Sequence, residues 1–257
     1  MAMSQFSESA MSGRNVPEEG ARRLGMDLPT LVNTLTGNYR IVDLSAEIIP
    51  GNRKVTGHYT WGTTQRLFEI EQFIAPGPHF MHFVRTESHV GTHVEVPAHI
   101  LDGAASCAEM PLETFMGEAI VLKFGSLQPT PGGRRLIRPE HLADVRGGDI
   151  VMMWSPFAGD DVPVISAEAA ATLAEKPIKM LGIQNVDADN DTHEALLLKE
   201  DAPIPIIEQV VSLETLTAER FLFFGLPLRV LGLDSSWIRA IAFEPSGGDA
   251  SDAAGAS

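Results

Sequence analysis

The segment Ser88-His89-Val90-Gly91-Thr92-His93-Val94-Glu95-Val96-Pro97-Ala98-His99 sets three histidines and a carboxylate at odd positions, with Val90, Thr92, Val94 and Val96 at the even ones. That alternation is the period of a half-buried strand, so His89, His93, Glu95 and His99 are expected to share one face. A helix would also bring His89 and His93 together at i,i+4, but Gly91, Pro97 and the β-branched run oppose it. Imidazole and carboxylate are ligands for zinc and other divalent transition metals, and several such groups converging from one short segment predict a metal site. The competing reading is a polar strand face in water.

Two later residues join these candidates. In Asn185-Val186-Asp187-Ala188-Asp189-Asn190-Asp191-Thr192-His193-Glu194 a polar run meets the apolar helical stretch Ala195–Lys199. Asp191 or Thr192 is expected to cap that helix and to hold His193 in its first turn, looking into a site. Ala202–Glu208 reads as an extended segment whose single carboxylate, Glu208, ends an apolar run. There it either has a partner or terminates the strand in solvent. Trp61, Phe73, Phe80 and Phe83 precede the histidine segment and offer an aromatic pocket wall, although such residues more commonly belong to a core. His58, His79, His82 and His141 suggest no role.

Elements must hold these side chains in place. Tyr39–Ser45 predicts an opening strand, Trp61–Ile74 a second, and Phe80–Thr86 a third that runs into or pairs beside the histidine segment. A helical turn is expected over Pro111–Met116, a strand over Glu118–Phe124, a helix start at Ile137–Leu142 and a strand over Ile150–Trp154. Ser166 caps an alanine-rich helix to Ala174, and the apolar run Ile178–Ile183 is a buried strand. Strand, helix, strand in this order predicts α/β layering. Phe221–Leu231 and Trp237–Phe243 read as core strands.

Composition narrows the function classes. The chain has 257 residues, enough for one sizeable core, and 34 acidic against 19 basic residues give a formal charge of −15. That charge opposes phosphate backbones and anionic membranes, so neither nucleic acid nor membrane is an expected partner. Cys107 is the sole cysteine. It forms no internal disulfide and reads as a packing residue rather than a nucleophile. No apolar run is long enough to span a bilayer and no secretory signal is recognisable, so a cytoplasmic location is expected. Residues 1–38 read as an N-terminal arm, with a short helix starting at Pro17, residues 39–244 as a single domain, and residues 245–257 as a tail.

His89-Val90-Gly91-Thr92-His93-Val94-Glu95-Val96-Pro97-Ala98-His99 resembles the His-x-Gly-Thr-His-x-Asp-x-Pro-x-His signature of the metal-dependent cyclase family, which includes bacterial kynurenine formamidase and isatin hydrolase. Asp43-Leu44-Ser45, Gly148–Val151, His193, Ile207-Glu208 and Leu226-Pro227-Leu228 with Gly232–Ser236 and Arg239-Ala240 extend the resemblance over residues 39 to 243. It implies a single-domain swivelling β/β/α fold with a mixed or barrel-like sheet, a small-molecule substrate, and hydrolysis of an amide, cyclic amide or lactone. It also implies one or two divalent ions, Mn2+ or Zn2+, and a homo-oligomer, dimer or tetramer. Carried across by position, His89, His93 and Glu95 become metal ligands and His99 the acid/base residue. His193 and Glu208 complete a second metal position or its surroundings. Glu95 departs from the usual Asp, and the segment from His193 to Glu208 carries Lys199-Glu200-Asp201 as an insertion.

The implied chemistry is consistent with the residue types. A divalent ion with an open coordination position lowers the pKa of its water from about 15.7 toward about 7. A histidine suits the role implied for His99, because unperturbed imidazole, with a pKa of about 6.5, can take a proton and return it to a leaving nitrogen or oxygen. No Gly-x-Ser-x-Gly motif competes for the role of nucleophile. A lyase or isomerase using the same ion, and a non-catalytic metal or small-ligand binding protein, are the alternatives on this scaffold. A retained His99 speaks against the last.

Overall fold

The computed structural model describes residues 37, 39–50, 67–77 and 79–245. The described residues from Arg40 to Pro245 belong to one compact unit. In chain order the strands begin with β1 (Tyr39–Asp43), β2 (Phe68–Ala75), β3 (His79–Thr86), β4 (His93–Glu95), β5 (Met116–Lys123), β6 (Leu136–Ile137), β7 (Ile150–Trp154) and β8 (Val164–Ile165). Helix α1 (Ala167–Glu175) and β9 (Met180–Gln184) follow, then α2 (Asn190–Leu197), β10 (Ile206–Glu208), β11 (Arg220–Phe224), β12 (Ser235–Trp237) and β13 (Ile241–Pro245).

Nine strands make one mixed sheet in the order β1-β13-β11-β5-β7-β9-β10-β4-β12. Its middle, β5-β7-β9-β10, is parallel, while β4 and β12 add antiparallel at one end. Parallel neighbours need crossovers, and α1 and α2 supply those between β7, β9 and β10. The middle strands are apolar on both sides. Val151 and Met153 enter a core shared with Leu173 of α1 and Leu196 of α2, while Ile150 and Met152 enter the opposite core with Phe115 and Phe223. Two buried faces explain why this stretch is a continuous apolar run rather than an alternation.

The helix starts follow side-chain capping. Ser166 Oγ accepts from the amide of Ala169 at 3.2 Å, as the sequence predicts. On α2 the expected cap is wrong: Asp189, not Asp191 or Thr192, caps the helix. Its Oδ1 accepts from both the amide and the hydroxyl of Thr192, at 2.9 and 2.8 Å. Only the earlier aspartate can satisfy both donors from outside the first turn.

β3 runs into the histidine segment, one of the two arrangements expected, and does not pair beside it: among the described residues it pairs only with β2, as a separate two-stranded ribbon. Two further expectations are corrected. Phe80 and Phe83 are exposed on that ribbon, in neither core nor pocket, and Phe73 is half-buried against Phe83. The core strand expected over Phe221–Leu231 ends at Phe224. Pro227 has no amide for a ladder, and Leu226, Leu228, Val230 and Leu231 face solvent. Trp61, His58 and the helix expected from Pro17 lie outside the described residues.

Candidate metal centre

Strand β4 lies between β10 and β12, with Glu208 and Trp237 opposite His93 and with Ser235 opposite Glu95. Alternation sends Val94 and Val96 into the core beside Ile207. His93 and Glu95 therefore point to the other face, where His193 of α2 meets them. Every residue from His89 to Pro97 is buried, so the half-buried strand expected from the alternation is a strand covered on both faces. It is also only three residues long.

His89 and His99 reach the same centre by other routes. Gly91 has φ +65, and a Cβ there would stand 2.7 Å from Cγ1 of Ile48, so the turn that brings His89 round requires glycine. Pro97 opens a 3-10 turn, Pro97–His99, which carries His99 back over the strand. Thr92 anchors the bend: its hydroxyl donates to the carbonyl of Gln209 at 2.6 Å and accepts from the amide of Ala46 at 2.8 Å. Gln209 has φ 54, uncommon outside glycine, and turns the chain immediately after Glu208.

The centre is built around the carboxylate of Glu95. Its Oε1 lies 2.8 Å from Nδ1 of His89 and 3.4 Å from Nε2 of His93, and its Oε2 lies 3.0 Å from Nε2 of His193 and 3.8 Å from Nε2 of His99. Glu208 completes the second side, 3.6 Å from His193 Nε2 and 3.7 Å from His93 Nε2. The outer nitrogens are anchored. His93 Nδ1 lies 2.7 Å from the carbonyl of Gly91, and His193 Nδ1 lies 2.9 Å from that of Asp189. A carbonyl only accepts, so both Nδ1 atoms carry the proton and both Nε2 lone pairs are left for the centre.

Charge explains how the site stands without an ion. Burial opposes ionisation of Glu95, but the imidazoles of His193, His89 and His93 outweigh it and hold the carboxyl well below the usual range. Burial likewise opposes the charge on His89, yet hydrogen bonds with Asp234 and Glu95 raise its pKa to about 9. For His193, Glu208 and Glu95 overcome burial and raise it to about 10. Glu208 is held low by His193 against the same penalty.

A divalent ion fits these residues. Glu95 Oε2 is buried, and its contact with Nε2 of His193 at 3.0 Å is an ion pair without well-directed hydrogen-bond geometry, which leaves the oxygen with lone-pair capacity that an ion would use. Two overlapping triads, His89-His93-Glu95 and Glu95-His193-Glu208, each bring three ligand atoms within 4.8 Å of one another. Imidazole nitrogen with carboxylate oxygen is a donor set for zinc or manganese, and protons on the histidines supply the positive charge when no ion does.

Asp234 was not singled out by sequence reasoning. Its Oδ2 lies 2.7 Å from Nε2 of His89 and 3.2 Å from Nδ1 of His99, and Ser88 Oγ donates to its Oδ1 at 3.2 Å. Those partners hold its carboxyl well below the usual range, against a smaller opposing effect of burial. With His89 and His99 it forms a third compact triad. The one local signal was a lone carboxylate in Gly-Leu-Asp-Ser-Ser ahead of the edge strand. Cys107 is buried and its thiol is pushed up to about 12, mainly by burial, which suits a packing residue.

Fold and site together define a mixed α/β protein with a buried imidazole–carboxylate centre at one end of its sheet. The profile of the Cyclase family matches residues 42–190, more than half of the chain, and the chain belongs to that family. A kynurenine formamidase from Salinibacter ruber (strain DSM 13855 / M31) is 27% identical over 217 residues, covering 79% of this chain and 93% of that protein. One from Bordetella petrii (strain ATCC BAA-461 / DSM 12804 / CCUG 43448) is 24% identical over 217 residues, covering 79% and 94%. Among solved structures, isatin hydrolase A from Labrenzia aggregata bound to benzyl benzoate has a TM-score of 0.64 at 22% identity, covering 85% of this chain and 99% of that one. An isatin hydrolase bound to the product analogue thioisatinate gives 0.63 at 16% identity, covering 90% and 99%. The structural likenesses establish a common fold.

Proposed function

We propose that the protein is a metal-dependent hydrolase that cleaves the carbon–nitrogen bond of an amide or cyclic amide in a small molecule, or the ester bond of a lactone. The observation that carries this reading is the buried, incompletely satisfied carboxylate of Glu95, faced by His89, His93 and His193. Similarity to kynurenine formamidases supports the reaction class.

His89, His93, Glu95, His193 and Glu208 would hold one or two ions, Mn2+ or Zn2+. When bound, a divalent ion polarises a substrate carbonyl and makes a water acidic enough to act as hydroxide near neutral pH. His99 is the acid/base residue. Its side chain is 31% exposed, at the rim of an otherwise buried cluster, where substrate can reach it. Asp234 orients its Nδ1, which leaves Nε2 to take a proton and hand it to the departing nitrogen. No side-chain nucleophile is required, and the protonated, buried thiol of Cys107 is unsuited to be one. The same reading places the enzyme in the cytoplasm as a homo-oligomer. Among the described residues no helix is long and apolar enough to cross a membrane.

The test is to measure bound metal in purified protein, strip it with a chelator, and assay N-formylkynurenine, isatin and simple lactones before and after adding Mn2+ or Zn2+. Turnover of a carbonyl substrate that vanishes on stripping and returns with metal is expected. His99→Ala should keep its metal and lose about 10²–10⁴ in turnover. Reloaded protein inert toward every amide, lactam and lactone tried would defeat the proposal, and loss of metal from His99→Ala would make His99 a ligand instead.

A further inference from the structure

Strand β12 carries two buried donors without a hydrogen-bond partner among the described residues, the hydroxyl of Ser235 and the indole nitrogen of Trp237. Ser235 is fully buried, and Trp237 is half-buried with its nitrogen out of reach of solvent. Such groups are rare, because the hydrogen bonds they gave up to water have not been replaced.

Register decides where they face. The amide of Val96 donates to the carbonyl of Asp234 at 3.1 Å, and that of Ile238 to the carbonyl of Thr92 at 3.2 Å, so these are hydrogen-bonded pairs of the antiparallel ladder. Ser235 opposite Glu95 and Trp237 opposite His93 are then the non-hydrogen-bonded pairs, whose Cα atoms stand only about 4.5 Å apart with the side chains close together on one face. That face is the one from which His93 and Glu95 enter the centre. Ser236, between the two, turns the other way with Val94, and its hydroxyl accepts from the amide of Leu228 at 2.9 Å. Alternation thus separates a serine whose hydroxyl is engaged in the fold from one whose hydroxyl is left for the site.

We propose that Ser235 and Trp237 form a substrate-binding wall of the centre, their O–H and N–H donating to an acceptor oxygen of the substrate other than the one a bound ion would polarise. The proposal rests on the hydrolase reading above and assigns residues to its specificity. An ion cannot be the missing partner of Trp237, since an indole N–H only donates. The missing partner has to be an acceptor, and the two flanks of His93 differ in what they offer one. Glu208 stands opposite His93 on β10 and repels an oxygen, whereas Trp237 stands opposite it on β12 and attracts one. Phe68 packs on Trp237 with ring centroids 5.8 Å apart and planes 56° apart, which holds the indole in place before substrate arrives.

The test reads the indole itself. The chain has three tryptophans, and Trp237→Phe, which keeps a ring against Phe68, identifies the Trp237 N–H signal by its loss from the proton–nitrogen spectrum. Zn2+-loaded protein is titrated with phenylglyoxylate, which has a ketone beside its carboxylate, and with phenylacetate, which has a methylene in place of the ketone. The Trp237 indole proton is expected to move downfield with phenylglyoxylate, as a new hydrogen bond requires, while that of Trp154 on β7 stays. A shift with phenylglyoxylate alone assigns the acceptor to a carbonyl oxygen, and a shift with both assigns it to the carboxylate. Calorimetry should find phenylglyoxylate bound about 5–10-fold more weakly by Trp237→Phe and by Ser235→Ala, with metal content unchanged. Ser235→Ala removes one oxygen and keeps the binding comparison usable should Trp237→Phe fail to fold. Phenylglyoxylate that does not bind wild-type protein at millimolar concentration, that binds without moving the indole signal, or that binds the folded variants as tightly as wild type would overturn the proposal. Turnover is scored separately: an indole shift without hydrolysis of any substrate supports the wall and defeats the reaction class, and hydrolysis with an unmoved indole does the reverse.

Discussion

Nε2 of His89 lies 2.7 Å from Oδ2 of Asp234, across 145 positions of sequence. The pair lets the ring present Nδ1 toward Glu95 while its other nitrogen is held by a carboxylate, the arrangement that orients a metal-binding histidine and raises its basicity. Asp234→Asn should therefore weaken metal binding by about 10–100-fold with the fold intact. Because Asp234 also holds His99, turnover at saturating metal should fall as well. Competition with a chromophoric chelator reads the first effect and steady-state kinetics the second. Unchanged metal affinity would reduce Asp234 to a partner of His99 alone.

Proton release provides a second measurement. In the metal-free protein His89 titrates at about 9 and His193 at about 10 because the facing carboxylates outweigh burial. Both values lie above the unfolded reference of about 6.5, so their stabilisation of the metal-free fold is complete below that pH and is lost as pH rises through about 9 to 10. A metal competes for the same nitrogens, so its affinity should climb with pH up to that range. Calorimetric titrations at pH 7.5 in buffers of different ionisation enthalpy should report protons leaving as metal enters. Melting temperatures of chelator-treated protein should drop above pH 9 while those of loaded protein hold. Metal uptake with no proton release would remove His89 and His193 from the ligand set.

The layering of the fold was legible because its signals are local. Ile150–Trp154 and the alanine-rich helix after Ser166 each declare their type within a few residues, and the order strand, helix, strand fixes the parallel middle of the sheet. The histidine segment was legible in composition but not in shape. Alternation cannot tell a strand facing water from one facing a covered polar centre, nor reveal that a left-handed Gly91 and a 3-10 turn deliver His89 and His99. Asp234 lies within Gly232–Ser236, which the resemblance covers, but it received no role because its partners lie far away in sequence. Phe80 and Phe83 were misread for a different reason: apolar side chains signal burial, yet these two are exposed on a two-stranded ribbon outside both cores.

Gly91 can be tested by filling it. Alanine there must adopt φ near +65, at about 1–2 kcal/mol, and must displace Ile48, which overpacking data place at about 1–3 kcal/mol. Gly91→Ala should lose about 2–5 kcal/mol in denaturant unfolding. Adding Ile48→Ala should restore the steric part and leave the backbone part. If the double variant is no more stable than the single, the crowding at Ile48 is not what makes glycine necessary.

Glu95 is the position where the chain departs from the signature it resembles, and its length matters to the geometry. Oε1 reaches His89 and His93 while Oε2 reaches His193, so one side chain spans both triads. β4 is paired on both sides, to β10 and β12, and its backbone cannot move to follow a shorter side chain. Removing one methylene withdraws the carboxylate by about 1.5 Å, whereas ligand distances tolerate about 0.2 Å. Glu95→Asp should accordingly bind metal more than about tenfold more weakly, despite restoring the usual residue of the signature, and should bind fewer ions per chain if Glu95 links two. Glu95→Gln keeps the length and removes the charge, so it separates reach from electrostatics. Elemental analysis of dialysed protein gives the stoichiometry, and chelator competition gives the affinity. An aspartate variant with wild-type affinity and stoichiometry would mean that the surrounding histidines, rather than this carboxylate, set the dimensions of the centre.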